Sequence, residues 1–244
     1  MQAAALEDLG LGETWTYEAI DVDPDGFREL VESMPDSGFA GANVTVPHKE
    51  AALALADSVG QEAKGIGASN TLIFQPDGIR AENTDAPGLL AAIGQVPAGR
   101  ALVLGAGGAG RAATWALAGA GHAVDLWNRT IERGQAVASE LGVESLVEPR
   151  VGDYDVIVNS TAAGLNGDGG LADLPLQPAG FRSGQVVVDM VYADGPSELL
   201  LAAGELGART VDGIEVLVRQ GALSLGLWTG LEPSIEVMRT AARS

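Results

Sequence analysis

Lys49 and Asp85 carry complementary acid–base chemistry and stand in polar segments where the surrounding pattern calls for apolar residues. Three such segments occur: Asn43-Val44-Thr45-Val46-Pro47-His48-Lys49-Glu50, Gly67-Ala68-Ser69-Asn70-Thr71 and Glu82-Asn83-Thr84-Asp85-Ala86-Pro87-Gly88. Each falls at a strand end or in a loop, where open α/β sheets build their sites. Lys49 opens a helix, the end at which the helix dipole disfavours a cation. That placement costs local stability, and such costs concentrate at functional positions. An ammonium and a carboxylate converging on one hydroxyl can pass a proton as general acid and base. The same residues also read as a helix start with capping groups, Thr84 or Asp85 standing as cap ahead of Pro87. The residues alone leave both readings open.

Gly105-Ala106-Gly107-Gly108-Ala109-Gly110 lies between an expected strand and an expected helix and satisfies G-x-G-x-x-G at 105, 107 and 110. The first glycine permits a tight turn, the second lets backbone approach a pyrophosphate, and the third allows close helix–strand packing. The helix N-terminus then offers free N–H groups and partial positive charge to phosphates. At the end of the second strand, where an NAD site places Asp or Glu, the chain has Asn128-Arg129-Thr130 and then Arg133. A carboxylate would repel a 2′-phosphate and a guanidinium holds one bidentately, so the pattern favours NADP over NAD. Asp125 lies inside the strand and is expected to point elsewhere.

These segments need a scaffold, and the rest of the sequence describes an α/β one. Short apolar strands at 101–104, 123–127, 156–159, 186–189 and 208–211 alternate with helices at 111–120, 131–141 and 198–206, the pattern of βαβ units and a parallel sheet. The first third is less regular: helices at 2–9, 24–33 and 49–57, strands at 14–22 and 42–46, and a hairpin over 71–83. A helix over 87–93 and a Pro/Gly connector at 95–100 suit a domain border near 85–100, and the tail is helical at 221–230 and 233–242. With 244 residues, the chain can bury a full core without staples. It has no cysteine, which excludes a disulfide scaffold and thiol chemistry. Its formal charge of −19 opposes nucleic-acid binding. No apolar run approaches the ~20 residues of a membrane span and no basic leader is evident, so a soluble, cytoplasmic protein is expected. Only Lys49 and Lys64 are lysines, so a lysine in a functional segment stands out. His48 reads as structural and His122 as exposed. Two isolated histidines without carboxylates at ligand spacing give no metal site.

The three polar segments, the turn at 105–110, Asn128-Arg129-Thr130 with Arg133, Asn159-Ser160-Thr161, Asp189-Met190-Val191-Tyr192 and the stretch from Gly213 through Gln220 to Trp228 together resemble the shikimate dehydrogenase family, in the family's order and over essentially the whole chain. The resemblance implies a two-lobed α/β enzyme. A substrate lobe of residues 1–84 is completed by helices in 214–244, and a Rossmann-like NADP lobe spans 85–213. It implies the NADPH-dependent reduction of 3-dehydroshikimate to shikimate in aromatic amino-acid synthesis, with shikimate as small-molecule partner and a monomer or homodimer as assembly. Lys49 and Asp85 would be the acid/base pair at the C3 oxygen. Thr45, Asn70 and Gln220 would bond the ring hydroxyls, with Tyr192 nearby. Gly105, Ala106, Gly107, Gly108, Ala109 and Gly110 would meet the pyrophosphate, and Asn128, Arg129, Thr130 and Arg133 the 2′-phosphate end. Asn159, Ser160 and Thr161 would line the cofactor cleft, and Met190 and Gly213 border the nicotinamide.

The chain departs from the family in two places. Family members begin with a strand and a Ser-x-Ser-Pro loop ahead of the helix that matches Gln2–Leu9, and neither has a counterpart here. Loss of an interior strand is expected to expose unpaired backbone, and loss of the two hydroxyls to weaken shikimate binding. Ala193-Asp194-Gly195-Pro196 also replaces the Asn-Pro that commonly follows the Tyr192 motif. Two rival readings are a quinate/shikimate dehydrogenase using NAD and an NADP-binding remnant without turnover. Replacing Arg129 by alanine tests the cofactor reading. Loss of a charged hydrogen-bonding group should raise KM for NADP about tenfold or more while KM for NAD changes little. Equal effects on both cofactors would dismiss the phosphate contact.

Overall fold

The computed structural model describes residues 1–163, 170–192 and 195–244. It forms two compact units, Met1–Gly88 with Leu217–Ser244, and Leu89–Val216.

The first unit contains α1 (Gln2–Asp8), α2 (Phe27–Ser33), β1 (Gly41–Asn43), α3 (Lys49–Leu55), β2 (Ser58–Val59), α4 (Gln61–Ile66), β3 (Thr71–Gln75) and β4 (Gly78–Glu82). Its sheet has the order β1-β3-β4-β2. The β3–β4 hairpin turns through Pro76-Asp77, and β1 pairs antiparallel with β3 on the other side. Register does the important work: Asn43 lies opposite Thr71, and Thr71 opposite Glu82. The end of β1, the start of β3 and the end of β4 therefore coincide, and the three polar segments meet at one end of the sheet. Below them Phe27, Val31, Val44, Ala52, Leu72 and Ile79 form the apolar core.

In the second unit α5 (Asp85–Ile93), which begins in the first, leads into β5 (Arg100–Leu104), α6 (Gly108–Gly119), β6 (Ala123–Trp127), α7 (Ile131–Leu141) and β7 (Glu144–Leu146). Then follow β8 (Val156–Asn159), β9 (Val186–Asp189), α8 (Glu198–Glu205), β10 (Arg209–Val211), the long α9 (Gly213–Thr229), which passes into the first unit at Leu217, and α10 (Ile235–Ala242), which belongs to the first unit. The six strands order as β10-β9-β8-β5-β6-β7 and all pair in parallel, so strand order reverses between β5 and β8. This is the doubly wound dinucleotide-binding order, whose ligands sit beyond the strand ends at that reversal. Alternation along each strand builds two cores. Ala101, Val103, Val156 and Val158 face one layer of helices, while Leu102, Leu104 and Ile157 face the other.

The structure corrects several sequence expectations: His122, expected to be exposed, is buried, its Nδ1 accepting from the Gly99 N–H. Residues 14–22 form no strand. Their apolar and β-branched residues read as one, but among the described residues no strand pairs with them, and a strand needs a neighbour to satisfy its backbone. A cavity of about 530 Å³ opens there instead, lined by Trp15, Tyr17 and Ile20 and by Ala42 and Asn43 of β1. The helix expected from Pro24 starts only at Phe27, after a turn at 24–26, and the strand expected to reach Val46 stops at Asn43. The helix expected from Gly221 begins at Gly213, because a glycine inside a helix lowers propensity without ending it. Three short elements, β2, α4 and β7, carry too little periodicity to be read beforehand. Ala193 and Asp194, where the chain departs from the family motif, lie outside the described residues.

Gly110 shows how tightly the turn after β5 is packed: a Cβ there would lie 1.9 Å from the carbonyl oxygen of Gly105. Gly110→Ala should destabilise the protein by about 1–3 kcal/mol through overpacking, read as a melting temperature several degrees lower. An unchanged melting temperature would show that the backbone relaxes freely.

Candidate active site

Lys49, the first residue of α3, donates from Nζ to Oδ2 of Asp85 at 2.6 Å, with side chains only 14% and 6% exposed. The carboxylate offsets the unfavourable dipole that a helix start presents to a lysine. His48, just before it, stacks on Phe27 with ring centroids 4.5 Å apart and bonds the Val22 carbonyl through Nε2, so it is spent on structure.

Asp85 heads α5, but it is not the cap. Asn83 caps this helix, its Oδ1 accepting from the backbone N–H of Asp85 and Ala86. The expectation of Thr84 or Asp85 as cap is thereby corrected, and the reason is useful. Because Asn83 satisfies the helix start, the Thr84 and Asp85 side chains are left for the site.

Asn70 ties these groups together while 2% exposed. Its amide nitrogen donates to Asp85 Oδ1 at 2.8 Å, Thr84 Oγ1 at 2.9 Å and Gln220 Oε1 at 3.0 Å. Its oxygen accepts from the Thr84 N–H at 2.7 Å and from the Thr71 hydroxyl at 3.0 Å. Both carboxylate oxygens of Asp85 are thus occupied, one by Lys49 and the other by Asn70. Gln220, on α9, lies against α5, where a Cβ on Gly88 would sit 2.9 Å from its backbone nitrogen. Its own Nε2 turns back to the Leu217 carbonyl.

Sequence reasoning missed part of this network. Ser224, fully buried, bonds the hydroxyls of Thr71 and Thr84 and accepts from Asn43 Nδ2. Asn43 Oδ1 in turn accepts from the Tyr17 hydroxyl, whose pKa burial raises. Ser224 did carry a signal, being a polar residue four positions after Gln220 on an apolar helix and so on the same face. Tyr17 carried none. Thr45 is exposed just beyond β1, its carbonyl accepting from the His48 N–H.

In the second unit the turn 105–110 joins β5 to α6. Gly105 has φ +106°, which favours glycine, and Gly110 is fixed by the contact described above. Gly107 has neither constraint: its φ is −85° and a Cβ would meet nothing within 4 Å. The chain's own packing does not require glycine at 107, whereas backbone approach by a pyrophosphate does. Gly108 and Ala109 form the first turn of α6. Asn128 Oδ1 accepts from the Ala106 N–H and its Nδ2 donates to the Thr130 carbonyl. Arg133 Nε donates to the Ala106 carbonyl, and Arg129, directly after Asn128, is exposed. Asp125 is turned inward to Arg100 and Tyr154.

Across the strand-order reversal, Ser160 bonds the Leu104 carbonyl through both N–H and hydroxyl. Asn159 is 1% exposed, with its oxygen held by Thr161, and Tyr192 is 50% exposed. Gly213 packs against the loop after β9, where a Cβ would lie 2.8 Å from the carbonyl oxygens of Met190 and Val191. The structure therefore brings together Lys49, Asp85, Asn70 and Gln220. The glycine turn, Asn128, Arg133 and Ser160 form a separate group in the other unit. Among the described residues no cluster could hold a metal ion, and no helix is long and apolar enough to cross a membrane.

A chain with one unit in the doubly wound dinucleotide-binding order and another that holds a buried lysine–carboxylate pair has the make-up of a dinucleotide-dependent dehydrogenase. Comparison with known proteins narrows the class. Residues 1–72 match the shikimate dehydrogenase substrate-binding domain, 90–166 the shikimate/quinate 5-dehydrogenase family, and 213–243 the shikimate 5′-dehydrogenase C-terminal domain. The shikimate dehydrogenase (NADP(+)) of Acidiphilium cryptum is 42% identical, over 90% of this chain and 82% of that protein. That of Methylobacterium radiotolerans is 43% identical, over 90% and 83%. The crystal structure of the Thermus thermophilus enzyme in complex with NADP(H) and shikimate superposes with a TM-score of 0.89 at 41% identity, covering 99% of this chain and 92% of that one. The chain belongs to the shikimate dehydrogenase family.

Asn70→Ala would leave Asp85 Oδ1 and the Thr84 N–H without their buried partner, and Gln220 Oε1 with only the Thr84 hydroxyl at 3.4 Å. A stability loss of about 2–4 kcal/mol in a urea titration is expected. A loss below about 0.5 kcal/mol would mean that water replaces the amide and that the network is not held by Asn70.

Proposed function

We propose that this protein is an NADP-dependent shikimate dehydrogenase, reversibly reducing 3-dehydroshikimate to shikimate in aromatic amino-acid biosynthesis. The observation that carries the reading is the Lys49–Asp85 pair, 2.6 Å apart and largely withdrawn from water. Bound NADPH supplies the hydride. The chain's residues hold the substrate and manage one proton. Lys49, as ammonium, donates to the C3 oxygen as it becomes a hydroxyl. In the reverse direction the neutral amine takes that proton back, and the Asp85 carboxylate stabilises the lysine whenever it is charged. Asn70, Thr45 and Gln220 bond the ring hydroxyls, with Tyr192 nearby.

Gly105 through Gly110 receive the pyrophosphate, with Gly107 as the point of closest approach. Arg129 and Arg133 meet the 2′-phosphate, and Asn128 and Thr130 shape that corner. Asn159, Ser160 and Thr161 support the nucleotide side of the site, and Met190 and Gly213 border the nicotinamide. A cytoplasmic monomer or homodimer fits this role.

The test measures NADP reduction with shikimate and with quinate, in wild type and Lys49→Gln. Wild type should prefer shikimate with NADP. The variant should lose about 10²–10⁴-fold in kcat while its affinity for NADP stays unchanged. Wild-type turnover of quinate with NAD alone would favour the rival dehydrogenase. Undiminished kcat in the variant would remove Lys49 from the chemistry.

A further inference from the structure

Asp189, the last residue of β9, is 2% exposed, and no cation pairs with it among the described residues. A buried carboxylate without a counter-ion costs several kcal/mol, and the three preceding residues of β9 are all valine, so packing gives no reason for it. Its bonds give one. Oδ1 accepts from Asn159 Nδ2 at 2.9 Å and from the Val191 N–H at 3.1 Å, and Oδ2 accepts from the Ser197 hydroxyl at 2.5 Å. Ser197 in turn caps α8 by accepting from the Leu200 N–H. On the other side Asn159 Oδ1 holds both the N–H and the hydroxyl of Thr161, and Thr161 Oγ1 accepts from the Ala163 N–H. One continuous line of bonds thus runs from the N-terminus of α8, across the ends of β9 and β8, into the loop after β8.

We propose that Asp189 is a positioning residue for the nicotinamide nucleotide: it fixes the loop starts at 159–163 and 190–192 relative to each other, and so sets where Met190 stands. This deepens the proposed function and rests on its assignment of the second unit to NADP. Both oxygens of Asp189 are engaged by the chain itself, so it acts through its neighbours. Gly213 completes the arrangement from the opposite side. Its missing Cβ lets Met190 and Val191 lie against the start of α9, so the segment is held between the Asp189 carboxylate and Gly213. Burial raises the pKa of Asp189, as expected for a carboxylate kept for its acceptor geometry and not for an ion pair.

The test titrates NADPH fluorescence and measures steady-state constants for Asp189→Ala, Asp189→Asn and Ser197→Ala. Asp189→Ala should raise both Kd and KM for the nucleotide about tenfold while KM for shikimate moves less than about twofold. Asp189→Asn keeps the oxygen that serves Asn159 and Val191 and can donate to Ser197, so it should stay within about threefold of wild type. A folded Asp189→Ala with unchanged nucleotide Kd would overturn the proposal, as a lowered melting temperature alone marks a structural role. An Asp189→Asn variant as weak as the alanine would overturn it too, by showing that charge and not placement matters. If Asp189→Ala does not fold, Ser197→Ala decides: a rise of about two- to threefold in nucleotide Kd supports the proposal and no change overturns it. Wild type that binds NADPH but leaves shikimate untouched would refute the substrate assignment and leave this inference standing.

Discussion

The first unit turns on a carboxylate held almost out of water. Asp85 is 4% exposed, and a buried charge of that kind persists only when each oxygen has a partner. Lys49 supplies charge to one oxygen and Asn70 supplies a hydrogen bond to the other. Neither partner would be in reach without the strand register that brings the ends of β1 and β4 beside the start of β3. Replacing one partner alone leaves the other stranded, the costly outcome for a buried pair. The geometry is therefore mutual: the sheet places the pair, and the pair makes that end of the sheet tolerable as a polar place.

Hydroxyls extend the same logic. Thr71, Thr84 and Ser224 bond one another at 2.8–3.3 Å between their oxygens. Hydroxyls both donate and accept, so such a cluster has no fixed polarity and can orient to suit the amides of Asn43 and Asn70. Ser224 and Gln220 come from α9, 136 to 181 residues after the threonines and asparagines they bond. The C-terminal part of the chain thus completes the first unit's polar end, and a fold read only from its N-terminal third would lack two of its groups.

The second unit instead keeps a stretch of backbone open. Here side chains are mostly spent on the chain itself: Asn128 and Arg133 both hold Ala106, and Ser160 holds the end of β5. They fix the turn, leaving Gly107 open. Asp125, in the strand before Asn128, serves Arg100 and Tyr154, so the carboxylate nearest the expected ribose position is directed into the protein.

The sequence by itself determined the parallel sheet, the glycine turn and the polar segments, because each rests on local pattern. A continuous run such as Val186-Val187-Val188 suits only a strand covered on both faces, and G-x-G-x-x-G encodes its turn within six residues. It did not determine whether residues 14–22 would pair, since a strand exists only with a neighbour. It did not determine that Asn83 caps α5, since the competition among Asn83, Thr84 and Asp85 is decided by where each side chain finds a partner. Nor could it show Ser224 or Tyr17 joining the site, or Asn159 turning to Asp189. Those contacts span up to 181 residues and depend on register and helix rotation, which tertiary packing alone sets.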